Sequence, residues 1–165
     1  MKNNFRVLFL LLLSIGLTFT ACDRTDDEDE DTTPVGENLT IEGSITSNTT
    51  WKAANKYLLE GFVYVESGAT LTIEPGTVIK GDKATKATLI IKPGAKIIAE
   101  GTVAKPIVFT SNQPKGSRNL GDWGGVIVLG KAPVNKTPAT IEGENISTFG
   151  GNDAADNSGI LKYVR

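Results

Sequence analysis

The sequence predicts an all-β solenoid, a parallel β-helix made of short strands and tight corners. Three observations lead there. First, Thr70-Leu71-Thr72-Ile73-Glu74-Pro75-Gly76 returns 18 residues later as Thr88-Leu89-Ile90-Ile91-Lys92-Pro93-Gly94. Both copies place apolar side chains two positions apart, then a charge, then Pro-Gly. Period-2 alternation marks a strand with one buried face, and Pro-Gly marks a corner, because Pro presets φ and Gly accepts φ > 0. Second, Gly68, Gly76 and Gly94 are each followed by a small residue (Ala69, Thr77, Ala95) and then, at the third position, by Leu71, Ile79 or Ile97. Those odd offsets are expected to point inward. Third, 39% hydrophobic residues with only 7% aromatics and 18 glycines suit many β-branched strands and corners rather than helices.

A strand-corner unit cannot bury its apolar face alone and does so by stacking on the next copy. A coil of about 18–20 residues would put equivalent residues one strand spacing apart, ~4.8 Å. The expected contacts are Leu71 on Leu89, Ile73 on Ile91 and Glu74 beside Lys92. Each buried Leu or Ile contributes ~1.5–3 kcal/mol, against at most ~1 kcal/mol for an exposed ion pair. Apolar stacking therefore decides the fold.

In chain order, residues 1–21 read as a secretory signal: Lys2 and Arg6, then a continuous apolar run from Val7 to Leu13, then small or hydroxylated residues. The run is too short to span a membrane. Phe19-Thr20-Ala21-Cys22 resembles the lipobox of bacterial lipoproteins, in which the cysteine after the cut carries the lipid. Cys22 is the chain's one cysteine, so no intramolecular disulfide forms, and the resemblance makes it the lipid-attachment residue. Phe19 departs from the usual Leu. Residues 22–37 then form an acidic tether without apolar periodicity, expected to be extended and disordered. An acidic run after a lipidated cysteine resembles the surface-export signal of Bacteroidota lipoproteins, although a single Asp there resembles an inner-membrane retention signal in enteric bacteria. The long run favours an outer-membrane, surface-exposed location.

Residues 38–60 read as an N-terminal cap closing the open end of the solenoid, with Trp51 as its apolar cover. Coils then occupy residues 61–165, most clearly Phe62-Val63-Tyr64-Val65, the two copies above, Ile97-Ile98-Ala99 and Ile107-Val108-Phe109-Thr110. Residues 111–122 break the pattern with Asn, Gln, Pro, Gly and Ser and predict an exposed loop, the usual place for binding. Strand alternation resumes at Val126 and Val128. Together, Leu71-Thr72-Ile73-Glu74-Pro75-Gly76, Lys105-Pro106-Ile107-Val108-Phe109-Thr110-Ser111 and Gly121-Asp122-Trp123-Gly124-Gly125-Val126-Ile127 resemble right-handed parallel β-helix repeat lipoproteins of Bacteroidota. The resemblance implies a right-handed helix at the cell surface, with further coils after Arg165, so that the chain is an N-terminal part.

Function is less sharply written. The absence of His removes the commonest general base and metal ligand. The net charge of −2 conceals an acidic tether and a mildly basic remainder, which leaves no nucleic-acid footprint. Glu66, Glu74, Glu100 and Glu142 occur singly among lysines, unlike the carboxylate pair of a glycosidase. Asp153 and Asp156 share an acidic loop that lacks the closing Glu of an EF-hand, so no metal site is expected. No catalytic residue, cofactor or phosphate loop is expected either. The candidate ligand contacts are Trp123, which suits either stacking on a sugar ring or covering a coil corner, and its neighbour Asp122. The expected function is a lipid-anchored surface protein presenting loops for adhesion or glycan contact, its partners the outer membrane and a polysaccharide or host surface. Parallel β-helices also host polysaccharide lyases and hydrolases, so an enzyme with its active site beyond residue 165 is the first alternative. A structural spacer is the second.

Overall fold

A computed structural model describes residues 36–136, 139–143 and 147–165. The signal segment, Cys22 and nearly all of the tether lie outside the described residues. Among the described residues twelve strands form, no helix does, and every strand pairing but one is parallel. The first rung comprises β1 (Asn38–Ile45) and β2 (Thr49–Trp51), and the second comprises β3 (Lys56–Val65) and β4 (Thr70–Ile73). The third is β5 (Val78–Gly81), β6 (Thr88–Ile91) and β7 (Lys96–Glu100). β8 (Val108–Ser111), β9 (Gly125–Val128) and β12 (Gly159–Lys162) make the fourth. The exception is the antiparallel hairpin of β10 (Ala139–Thr140) and β11 (Thr148–Phe149).

Three walls arise because β3 bends. Its first half pairs with β5 and its second half with β6, around Gly61 at φ 58. β1 has a register shift at the matching place, between Ile41 and Gly43. The third wall is the stack β2-β4-β7-β12. The chain is therefore a parallel β-helix, as the alternation and corners predict.

The corners form as the sequence predicts. Gly68, Gly76 and Gly94 have φ of 87, 91 and 84°, the value a type II turn requires at its third residue. Each turn closes with its own backbone bond: Ala69 N–H to Glu66 O at 2.9 Å, Thr77 to Glu74 at 3.2 Å, and Ala95 to Lys92 at 2.9 Å. Ala69, Thr77 and Ala95 are buried, and so are Leu71, Ile79 and Ile97.

The stacking partners differ from those expected. Leu71 lies on Ile97 and Leu89 lies on Val63, so the two sequence copies belong to different walls of successive rungs. Ile73 lies on Ala99 and Ile91 on Val65. Lys92 pairs with Glu66, at 3.0 Å, while Glu74 accepts the Ala53 N–H at 2.8 Å. The reason is that a coil has three walls and its corners have unequal lengths. Similar strand-corner units recur within a coil as well as between coils, so the strongest local likeness does not mark a stacked pair. The pair that does stack is the weaker glycine echo: Gly68 N–H donates to Gly94 O at 2.9 Å.

Inward side chains form continuous columns. They include Leu39–Tyr57–Ile79–Phe109, Ile45–Val65–Ile91–Val128 and Trp51–Ile73–Ala99–Leu161. The middle rungs are sealed, with Leu59, Leu71, Ile79, Leu89 and Ile91 all 0% exposed. In the fourth rung Val128 and Leu161 are 43% and 55% exposed, because no strand lies beyond them among the described residues. Trp51 is buried in the first rung and stacks on Tyr57, with ring centroids 4.9 Å apart. The Tyr57 hydroxyl accepts the Lys52 N–H at 2.7 Å, which satisfies the one polar atom of that ring.

Candidate functional site

The corner between the first and second walls lengthens along the helix. It is a bend at Gly61, then residues 82–87, then residues 112–124. These excursions are stitched into one ridge. Gly61 N–H donates to Thr85 Oγ1 at 2.9 Å, and Lys83 N–H to Asn112 Oδ1 at 3.2 Å. Asn112 Nδ2 donates to Asp82 Oδ1, and Lys86 Nζ to Gly121 O at 2.9 Å. Lys86 adopts φ 53, a left-handed conformation that a non-glycine residue keeps only where its surroundings hold it.

Asp122 anchors this ridge from within. It is 2% exposed and accepts from the Asn119 N–H at 3.0 Å, the Ser111 hydroxyl at 2.7 Å and Lys83 Nζ at 2.9 Å. The Asn119 N–H first, then Ser111 and Lys83, hold its carboxyl at about 2 rather than 3.8. The Thr85 N–H similarly lowers the pKa of Asp82, with the Thr85 hydroxyl and Asn112 assisting.

Trp123 turns into the solenoid. Its indole fills the space that Gly81 leaves open, where a Cβ would stand 2.5 Å from Trp123 Cε3. It also lies parallel to Phe109, with centroids 6.3 Å apart and planes 10° apart. Of the two candidate contacts, then, Asp122 is a buried anchor and Trp123 is partly buried against the core, lining both the cleft described next and a depression beside Phe109 and Arg118.

A second ridge faces the first across the outer surface of the second wall. Ile90 alternates outward yet is 0% exposed, and it stands outside the inner core. The β10–β11 hairpin covers this wall: Glu142 and Gly143 line one cleft with Phe62, Thr88 and Ile127, and Ser147 and Thr148 line another with Glu66 and Lys92. The loop carrying the hairpin is closed at its base by Gly150 N–H to Gly130 O at 2.9 Å and Asp153 N–H to Lys131 O at 3.1 Å. The Lys131 N–H adds a bond to Asp156 Oδ2 at 2.8 Å, so Asp156 is a loop clasp. Asp153 Oδ1 accepts the Ala155 N–H at 3.0 Å. Among the described residues no three His, Cys, Asp or Glu gather in a way that would hold a metal ion.

Between the two ridges lies a cleft of about 360 Å³, with Lys86, Gly121 and Trp123 on one side and Glu142 and Gly143 on the other. Phe62 stands in it, 41% exposed, and leans toward Tyr64 at 6.2 Å. The row beyond Phe62 is Thr88 and then Gly125, so its ring rises above a low floor. Lys92 lines the neighbouring cleft, 4.7 Å over the Tyr64 ring and held by Glu66. Burial raises the Glu66 pKa, but hydrogen bonds from Lys92 and Ser44 outweigh it and leave the carboxyl lowered. Phe62 and Glu142 carry this cleft, and the candidates read from the sequence do not include Phe62. The signal was present: in Phe62-Val63-Tyr64-Val65, burying the valines turns both aromatics outward.

A solenoid of parallel rungs with a loop-flanked cleft on an outer wall defines the class, a parallel β-helix. Residues 43–165 match the family described as a pectate-lyase-like β-helix domain, and the chain belongs to that family. No curated protein and no solved structure matches it.

Proposed function

We propose that this chain is a lipid-anchored, surface-displayed β-helix that contacts glycan through the cleft at Phe62 and does not cleave it. The observation that carries the reading is the cleft itself, an exposed aromatic ring set between two ridges that are pinned by hydrogen bonds. Sugar rings present apolar C–H faces, which an exposed aromatic covers at low conformational cost. Anchorage rests on the lipobox-like Phe19-Thr20-Ala21-Cys22 and on the acidic run behind it. The lipid would tie the N-terminus to the outer membrane, and the acidic tether would hold the solenoid clear of it.

The test is a glycan array probed with the full chain and with Phe62→Ala. Loss of binding in the variant supports the reading, and unchanged binding refutes it. Incorporation of labelled palmitate is expected to vanish in Cys22→Ala; label that persists removes the anchor. The family description favours a second reading, polysaccharide cleavage. Unsaturated or reducing ends released from a bound glycan over time would replace the first reading with the second.

A further inference from the structure

We infer that the cleft takes a neutral glycan rather than the polyuronate that the family's description names. This rests on the reading of the cleft as a glycan contact. A polyuronate carries one carboxylate per sugar and needs a cation, or a metal held by several acids, for each carboxylate it buries. Among the described residues the cleft has a single cation for a chain of carboxylates, and an anion stands opposite it. Those two are Lys86 and Glu142. The Lys86 ammonium already donates to the Gly121 carbonyl. The next lysine along the wall, Lys92, is held by both carboxylate oxygens of Glu66, at 3.0 and 3.1 Å. Among the described residues no acid cluster supplies a metal in place of these cations.

What the cleft does offer fits a neutral ring. Phe62 is the one large side chain of its row, since Thr88 and Gly125 follow it on the next rungs. The floor beneath is tight: a Cβ at Gly124 would stand 1.9 Å from Thr88 Oγ1. Above Gly125 there is open space, with nothing within 4 Å of the position a Cβ would take. A flat sugar face therefore has a ring to lie on and room to lie in. Glu142, exposed on the opposite wall, accepts hydrogen bonds from sugar hydroxyls and repels sugar carboxylates.

The experiment titrates the full chain with neutral gluco-, xylo- and manno-oligosaccharides and with oligogalacturonates of matched length, at low salt. At least one neutral series is expected to bind about tenfold or more tightly than the uronate. Phe62→Ala should weaken that binding about tenfold, whereas Phe62→Tyr should retain it. Glu142→Lys should replace the anion of the cleft with a second cation and raise affinity for oligogalacturonate. Oligogalacturonate binding as tight as the neutral series, and lost in Phe62→Ala, overturns the inference while the glycan reading stands. Binding that ignores Phe62→Ala, or no binding by either class, overturns both.

Discussion

The fit of Trp123 against Gly81 makes a prediction about sign as well as size. Gly81 sits in a strand without positive φ, so Ala can take its backbone conformation. With open space around it, Gly→Ala would stabilise the fold by ~0.4–1 kcal/mol, through lost freedom in the unfolded chain. Here a Cβ would lie 2.5, 2.6 and 2.7 Å from three indole carbons of Trp123. That is about 0.8–1.5 Å inside ordinary carbon contact of about 3.5–4.0 Å. The indole cannot withdraw freely, because Phe109 stacks on it. Gly81→Ala should therefore cost ~1–3 kcal/mol, the usual range for overpacking. In a Trp123→Ala background the clash is gone, and the same substitution should become neutral or stabilising. The assay is equilibrium urea unfolding of the four proteins followed by far-ultraviolet circular dichroism. The double-mutant cycle should return a coupling of ~1 kcal/mol or more. Additive effects, or a stabilising Gly81→Ala in the wild-type background, would refute the placement of Trp123.

Two further predictions concern the ridge and the columns. The Asp122 carboxyl titrates lower in the folded chain than its ordinary 3.8, at about 2. Its contribution is thus complete above about pH 4 and is lost as pH falls through 2, by the direction of linkage for a lowered acid. Limited proteolysis within residues 112–124 should rise over that window, and Asp122→Asn should show the higher cleavage already at neutral pH. Leu71→Ala, at a 0% exposed position between Thr49 and Ile97, should cost ~2.7–5 kcal/mol in urea unfolding. Leu161→Ala, 55% exposed on the fourth rung, should stay within ~0.5 kcal/mol; equal costs would contradict the columns.

Much of this architecture is legible before any coordinates. Alternation identifies which side chains of β3, β4 and β6 turn inward, because burying one face leaves a strand only one choice at period 2. Pro-Gly marks the corners, since few other dipeptides accept that backbone path. The same rule already exposes Phe62. It misleads at Ile90, which points outward yet is 0% exposed.

By itself, the sequence determined the local terms: where strands run, where they turn and which faces are apolar. Only the tertiary structure decided which rung rests on which, and so that Leu71 meets Ile97, that Trp123 fills the space at Gly81, and that Glu142 faces Phe62 across a cleft. The physical reason is that alternation and turn chemistry act over a few residues. Stacking depends instead on how much chain each corner consumes before the coil closes, a sum over the whole circuit that no single motif records.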